Sequence, residues 1–230
     1  MLIIGHRGIT SVAPENSLKA LRAGLDANVD MLEFDVRITR DGIPVVIHDS
    51  TLFRTHKKAT IVKWTTHESL KRATEKGHQI ATLEEVLDAL FGKIMLNLEI
   101  KSRGSGVIAA KTISKYIKKK DDWQNILISS FMGRELRAVR KYTPHANLAL
   151  LHNRNPFAFI AYHRQIGLSA VGFHRLYTNP LASEIAKHLG LFLYAYTVNN
   201  RATAKRMQSM GMDGIVTDHP ERINQALKKV

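Results

Sequence analysis

Short apolar, β-branched runs recur along the chain: LIIGH, DMLEFDVRI, KIMLNLEIK, NILISSF, NLALLH, SAVGFH, LFLYAYTV and DGIVTD. Most are separated by stretches of helical periodicity, among them SLKALRAGLDA, TLEEVLDALFG, GVIAAKTISKYIKKK, GRELRAVRKY, PLASEIAKHL and RATAKRMQSM. Strand and helix in regular alternation require parallel pairing through crossover helices. Eight such units in 230 residues predict an α/β fold of the TIM (β/α)₈ barrel type. An open, doubly wound sheet fits less well, because no Gly-rich phosphate loop follows the first strand at dinucleotide-fold spacing.

One segment interrupts the alternation. After EFDVRIT, the stretch RDGIP carries an Asp41-Gly42 turn signal and leads into VVIHD, which predicts a hairpin excursion. Residues 50–80 then read as an insertion of loop and short helix ahead of the second barrel helix. No linker or shift in composition divides residues 1–230, so one domain is expected.

Composition narrows the class. Apolar residues make up 44% and charged residues 23% of the chain, as in soluble globular proteins. No apolar run approaches a membrane span, and the start MLIIGHRG has no signal-like preface, so a cytoplasmic location is the default expectation. With no cysteine, any metal must be held by oxygen or imidazole. The formal charge of +14 invites a polyanion reading. Its distribution weakens that reading: Lys111, Lys115, Lys118, Lys119 and Lys120 cluster near one helix end, while the other basic residues are scattered without interleaved aromatics. A solvated basic surface is expected, with no specific nucleic-acid partner.

In a βα barrel the site lies at the C-terminal strand ends, so polar residues that close apolar runs are the candidates. His6 and Arg7 close the first strand, Glu33 and Asp35 lie in the second, and Glu99 and Lys101 close the third. Residues two apart on a strand share a face, so Glu33 and Asp35 point inward while Phe34 and Val36 point away. Three inward carboxylates would repel one another unless a cation held them, and an all-oxygen set suits Mg²⁺ or Ca²⁺. The plainer alternative is an internal network in which Arg7 and Lys101 neutralise the acids without a metal.

His6 and His48 each end an apolar run and could exchange protons near neutral pH. His56, His67, His78, His145, His163 and His188 sit in polar surroundings and read as surface residues. Arg7 and Lys101 have the donors to hold a phosphate. Gly8 is expected to leave room for the turn and a ligand. Thr217 or Asp218, ahead of Pro220, reads as the N-cap of the last helix.

These residues carry a family resemblance. HRG with PENS (Pro14 to Ser17), EFDVRITRDGIPVVIHD, TLEEVL, NLEIK, SSF, YAYTVN and DGIVTDHP stand in the order found in glycerophosphodiester phosphodiesterases, and the resemblance runs from Gly5 to Pro220. It implies a TIM barrel with a small insertion after the second strand. It also implies one divalent cation on Glu33, Asp35 and Glu99, acid/base roles for His6 and His48, and phosphate binding by Arg7 and Lys101. Phe131, in SSF, and Tyr196, where the family often has Trp, are implied to line the substrate.

Two further departures are Ala81 in place of a common Pro before TLEEVL, and RTHKKA in place of RTTxG after His48-Asp49. The implied reaction is hydrolysis of glycerophosphodiesters to sn-glycerol 3-phosphate and an alcohol. A lysophospholipid or sphingomyelin-like substrate is the second expectation, with transient contact of the basic surface with anionic membranes. A noncatalytic polyanion-binding barrel is the third.

Overall fold

A computed structural model describes residues 1–27, 29–74, 79–152 and 155–227. The chain runs β1 (Leu2–His6), α1 (Leu18–Arg22), β2 (Met31–Ile38), β3 (Pro44–Val46), α2 (Phe53–His56), α3 (His67–Ala73), α4 (Leu83–Leu90), β4 (Met95–Ile100) and α5 (Ser105–Ser114). It continues with β5 (Ile126–Ser130), α6 (Gly133–Tyr142), β6 (Asn147–His152), α7 (Ala158–Ile166), β7 (Ala170–His174), α8 (Pro180–His188), β8 (Phe192–Tyr196), α9 (Arg201–Ser209), β9 (Gly214–Thr217) and α10 (Pro220–Leu227).

Eight strands pair in parallel in the order β1-β9-β8-β7-β6-β5-β4-β2, and β2 pairs back to β1 to close a TIM barrel. They are the eight apolar runs read from the sequence. The expected hairpin is also present: β3 lies antiparallel to β2 outside the ring, with Val36 opposite Val46 and Ile38 opposite Pro44. The following segment holds α2, a 3₁₀ turn at Val62–Trp64 and α3. Val45, Ile47, Leu52, Val62, Leu70 and Ile80 form a small apolar cluster there.

Two points concern helices. The eight βα units require a helix between β6 and β7 although no helical run is named there, and α7 fills that place with AFIAYHRQI. The helix expected to run on through Lys120 stops at Ser114, after which Lys119 and Lys120 enter a 3₁₀ segment. The basic helix end is solvated, and Lys115 pairs with Glu84 at 3.0 Å.

Strand alternation divides the core. Ile3, Leu32, Phe34, Val36, Leu98, Ile128 and Leu193 face the helices in one large cluster, while Ile4, Met31, Leu127, Leu151, Tyr194 and Val216 fill the barrel interior. Continuing the interior parity toward the C-terminal ends delivers His6, Glu33, Asp35, Asn97 and Glu99 to the mouth. Register sets them side by side, with His6 opposite Glu33 and Asp35 opposite Glu99. No helix among the described residues is long and apolar enough to cross a membrane.

The loop beyond Lys101 is anchored from the neighbouring unit. Buried Glu135, on α6, accepts the backbone N–H groups of Gly104 and Gly106 at 2.9 and 3.0 Å, at the start of α5. Replacing it with Ala leaves the buried Gly106 N–H unpaired, at a cost of about 1–3 kcal/mol, while the exposed Gly104 N–H can turn to water. Glu135→Ala is therefore expected to lower the urea midpoint of unfolding, with Glu135→Gln intermediate because one amide oxygen still accepts.

Candidate active site

The first barrel loop brings Arg7 and the PENS segment over the strand ends by two backbone turns of left-handed hand, Arg7 at φ +55° and Gly8 at φ +84°. A Cβ on Gly8 would stand 2.6 Å from the backbone of Ala20. The space that Gly8 keeps open is thus taken by α1, and the expected clearance for a ligand is corrected: glycine is needed for helix packing against the turn.

Glu33, Asp35 and Glu99 are buried and offer oxygens that all lie within 4.8 Å of one another. The cations around them are unevenly shared. Arg7 Nε lies 3.2 Å from Asp35 Oδ2, and Lys101 Nζ lies 3.3 Å from Asp35 Oδ1 and 2.7 Å from Glu99 Oε1. Glu33 has no Lys or Arg salt bridge among the described residues; it accepts the Arg7 backbone N–H at 3.0 Å and stands 4.0 Å from His6 Nε2.

The titration behaviour follows. Burial, with the Asp35 charge adding to it, pushes the Glu33 carboxyl up to about 8. Burial and the same Asp35 charge raise Glu99 to about 7, against the pull of Lys101. Asp35 is held below the usual carboxylate range: burial opposes its charge, but Lys101, Arg7 and the Asn16 amide outweigh it. Asn16 binds Asp35 twice, donating from Nδ2 at 2.9 Å and accepting the Asp35 N–H at 3.1 Å. The internal network therefore exists, yet it neutralises Asp35 and leaves Glu33 and Glu99 in need of protons or of another cation. Three close, buried, hard oxygen donors fit a divalent ion of the Mg²⁺ or Ca²⁺ type.

The two histidines sit on different rims and are held alike. His6 Nδ1 lies 2.5 Å from Asp218 Oδ1, and His48 Nδ1 lies 2.6 Å from Asp49 Oδ1. A carboxylate on Nδ1 places the proton there and leaves Nε2 for chemistry. Burial disfavours the charged form of both rings. At His6 the Asp218 bond and the Glu33 charge outweigh burial and raise its pKa. At His48 burial wins, helped by Arg7 and Lys101, and the pKa falls despite Asp35 and Asp49.

Asp218 is not the helix cap that the sequence suggested. Its carboxylate is committed to His6 and to Asn199 Nδ2 at 2.5 Å, while the Thr217 hydroxyl accepts the His219 N–H at 3.1 Å near the start of α10. A helix cap is a local feature, whereas the His6 contact spans 212 residues of sequence. The same strand-end rule that nominated His6 would have nominated Asp218.

Other residues at the site were not singled out. Arg54, on α2, donates from Nε to Asp49 Oδ2 at 2.6 Å and from Nη1 to Glu15 Oε2 at 3.0 Å, with a further short contact from Nη2 to Glu15 Oε1. Glu15 also accepts from Arg7 Nη1 at 3.0 Å. One ion chain thus joins the segment after β3 to both Arg7 and His48. Arg37 donates to the backbone oxygens of His48 and Lys101 at 2.7 and 3.3 Å. Charged residues inside HRG, PENS and HDSTLFR were the available signal.

The aromatic pair also meets at the mouth. Phe131 packs edge-on to Tyr196, with ring centres 5.9 Å apart, and Lys101 Nζ stands 5.7 Å from the Phe131 ring. The Tyr196 hydroxyl, the group gained relative to a Trp, donates to the His152 backbone oxygen at 2.9 Å and so is turned to the wall. At Ala81 the chain enters α4 through a reciprocal bond between Thr82 and Glu85, as a simple helix entry requires. In RTHKKA, Lys57 takes a left-handed turn at φ +55°, which sets the loop's shape.

Of the histidines expected at the surface, His145 and His188 are exposed, whereas His56, His67 and His163 are half-buried; His78 lies outside the described residues. His152 closes β6 but packs edge-on against Phe173 at 4.8 Å on the helix side, and burial lowers its pKa to about 4.

Comparison with known proteins gives the family. The model of the glycerophosphoryl diester phosphodiesterase family matches residues 6–222. A glycerophosphodiester phosphodiesterase of Caldanaerobacter subterraneus subsp. tengcongensis is 34% identical, over 99% of this chain and 98% of its own. One from Bacillus altitudinis is 31% identical, over 96% and 95%. Among solved structures, an Oleispira antarctica phosphodiesterase in complex with the product sn-glycerol-3-phosphate superposes with a TM-score of 0.87 at 24% identity, covering 100% of this chain and 97% of that one. Family model, full-length relatives and barrel together place this chain in the glycerophosphoryl diester phosphodiesterase family, as a glycerophosphodiester phosphodiesterase.

Proposed function

We propose that the chain hydrolyses glycerophosphodiesters to sn-glycerol 3-phosphate and an alcohol, with one divalent cation and a pair of histidines at the barrel mouth. The observation that carries this reading is the group of three buried carboxylates within 4.8 Å of one another, left short of positive charge beside two carboxylate-held imidazoles. The product bound in the Oleispira antarctica structure supports the choice of product.

Glu33, Asp35 and Glu99 would hold the cation, Mg²⁺ or Ca²⁺. When bound, it would supply charge that polarises the phosphate and lowers the pKa of a nearby hydroxyl. Arg7 and Lys101 stand over the same carboxylates and would fix the phosphate by directed N–H donors. Phe131 and Tyr196 would wall the substrate and exclude water from one side.

His6 and His48, each held through Nδ1, would divide the proton transfers through Nε2: one accepts the proton of the attacking hydroxyl or water, and the other donates to the leaving alcohol. Asp218 and Asp49 would keep both rings in the tautomer this needs. The direct test is turnover across a panel of glycerophosphodiesters with the metal removed and restored; turnover that persists in chelator would sink the reading.

Cation binding should depend on pH with a definite sign. Glu33 and Glu99, raised to about 8 and about 7, carry protons at neutral pH that a cation must displace. Affinity for Mg²⁺ or Ca²⁺ is therefore expected to rise with pH from pH 6 and to level off only above about pH 9, a unit beyond the Glu33 value. Calorimetry at pH 7 in buffers of differing ionisation enthalpy should register proton release.

The histidine pair predicts an asymmetric rescue. His6→Ala and His48→Ala should each lose about 10²- to 10⁴-fold in kcat on glycerophosphocholine. On a glycerophosphodiester with a nitrophenol leaving group, one of the two variants should recover most of that loss, because a good leaving group needs no acid. Recovery of both, or of neither, would contradict the division of roles. Asp218→Asn should lower kcat by about 100-fold while leaving cation affinity within about 2-fold, by the same scale of acid/base contribution.

A further inference from the structure

The five large apolar side chains most exposed among the described residues share one end of the barrel. They are Trp64 at 69%, Phe53 and Leu176 at 67%, Leu181 at 58% and Val12 at 53%. Val12 lies between β1 and α1, Phe53 and Trp64 between β3 and α4, and Leu176 and Leu181 between β7 and the first turn of α8. The Val12 and Leu176–Leu181 segments follow the C-terminal ends of barrel strands, and the Phe53–Trp64 segment, which follows antiparallel β3, is held at the same end by its contacts. At the opposite end, the exposed large apolar side chains Met1, Leu25, Tyr142 and Leu189 reach 43% at most.

Contacts tie these segments to the mouth. The Phe53 helix is joined to His48 through Arg54 and Asp49, and the turn after Trp64 receives the Arg40 N–H of the β2–β3 hairpin at 3.0 Å. The Leu176 segment is joined by Tyr177, whose ring lies 5.5 Å from His174, itself 6.0 Å from Tyr196. β2 and β7 stand on opposite sides of the ring, so the apolar tips flank the mouth on two sides.

The rim is also basic. Residues 49–74 hold six Lys and Arg against two acids. Lys57 and Lys58 reach only backbone oxygens, and exposed Lys63 has no acidic partner among the described residues. A protein partner would call for a contiguous apolar centre depleted in lysine. Single-stranded nucleic acid would call for stacked rings along a groove, whereas Val12, Leu176 and Leu181 have no ring to stack. Separate apolar tips spaced among lysines match a surface that yields around each tip and is negatively charged.

We propose that this rim docks on anionic phospholipid bilayers with the barrel mouth toward the lipid, the five apolar tips at the headgroup boundary and Lys57, Lys58 and Lys63 on lipid phosphates. The docking rests on the barrel and its surface, not on the reaction proposed above.

The test is co-sedimentation of the full chain with phosphatidylglycerol–phosphatidylcholine vesicles and with phosphatidylcholine vesicles alone. Binding is expected only to the anionic vesicles, weakening as salt is raised. Of the two tryptophans, Trp123 is buried and Trp64 is on the rim, so tryptophan emission should shift to the blue on binding. Phe53→Ser with Leu176→Ser should lower the partition at least 10-fold, and Lys57→Ser with Lys58→Ser should do so at low salt. Both pairs are exposed, and turnover of glycerophosphocholine without vesicles should match the parent.

Absence of binding to anionic vesicles, binding without an emission shift, or binding undiminished in the Phe53/Leu176 variant would overturn the proposal. If parent and variants all bind as expected but none turns over glycerophosphocholine, the docking stands and the reaction reading falls.

Discussion

The structure depends on keeping three carboxylates together where they repel. Glu33, Asp35 and Glu99 are buried with oxygens within 4.8 Å of one another, and in a medium poorer than water in dielectric screening that repulsion is large. The barrel supplies the restraint. Strand register sets Asp35 beside Glu99, the surrounding parallel ladder is closed, and the Asn16 amide clasps Asp35 from the loop above. Arg7 and Lys101 both stand on Asp35, Lys101 also pairs with Glu99 at 2.7 Å, and Glu33 has no Lys or Arg salt bridge among the described residues, so two cations are left to serve three carboxylates. An arrangement costly to fold is for that reason ready to take up a cation.

Around this centre, each reactive group is fixed by another charged group. Asp218 fixes His6 and is itself fixed by Asn199; Asp49 fixes His48 and is itself fixed by Arg54. Glu15 joins Arg54 to Arg7, and despite its burial these two guanidiniums hold it below the usual carboxylate range. The segment after β3 is thus part of the site's support, since the only ion chain joining Arg7 to His48 among the described residues passes through its Arg54.

Much of the barrel was legible because its rule is local. Alternation of Leu32, Phe34 and Val36 with Met31, Glu33 and Asp35 states which face is buried against helices and which is directed to the axis, and all eight apolar runs became barrel strands. The helix α7 is required by the eight-unit repeat, because parallel β6 and β7 need a crossover between them. The site's nine nominated residues came from strand ends and from family motifs, and the structure brings them to one mouth.

The sequence by itself determined the strand–helix repeat, the inward parity that puts carboxylates and His6 at strand ends, and the family. It did so because periodicity and short motifs are properties of neighbouring residues. Tertiary structure alone decided that Asp218 serves His6 and not a helix, that Arg54 reaches both Asp49 and Glu15, that Gly8 makes room for α1, and that the exposed apolar tips gather at the mouth. Those outcomes depend on closure of the ring, which brings residue 6 against residue 218, and no local pattern records which distant charges will meet.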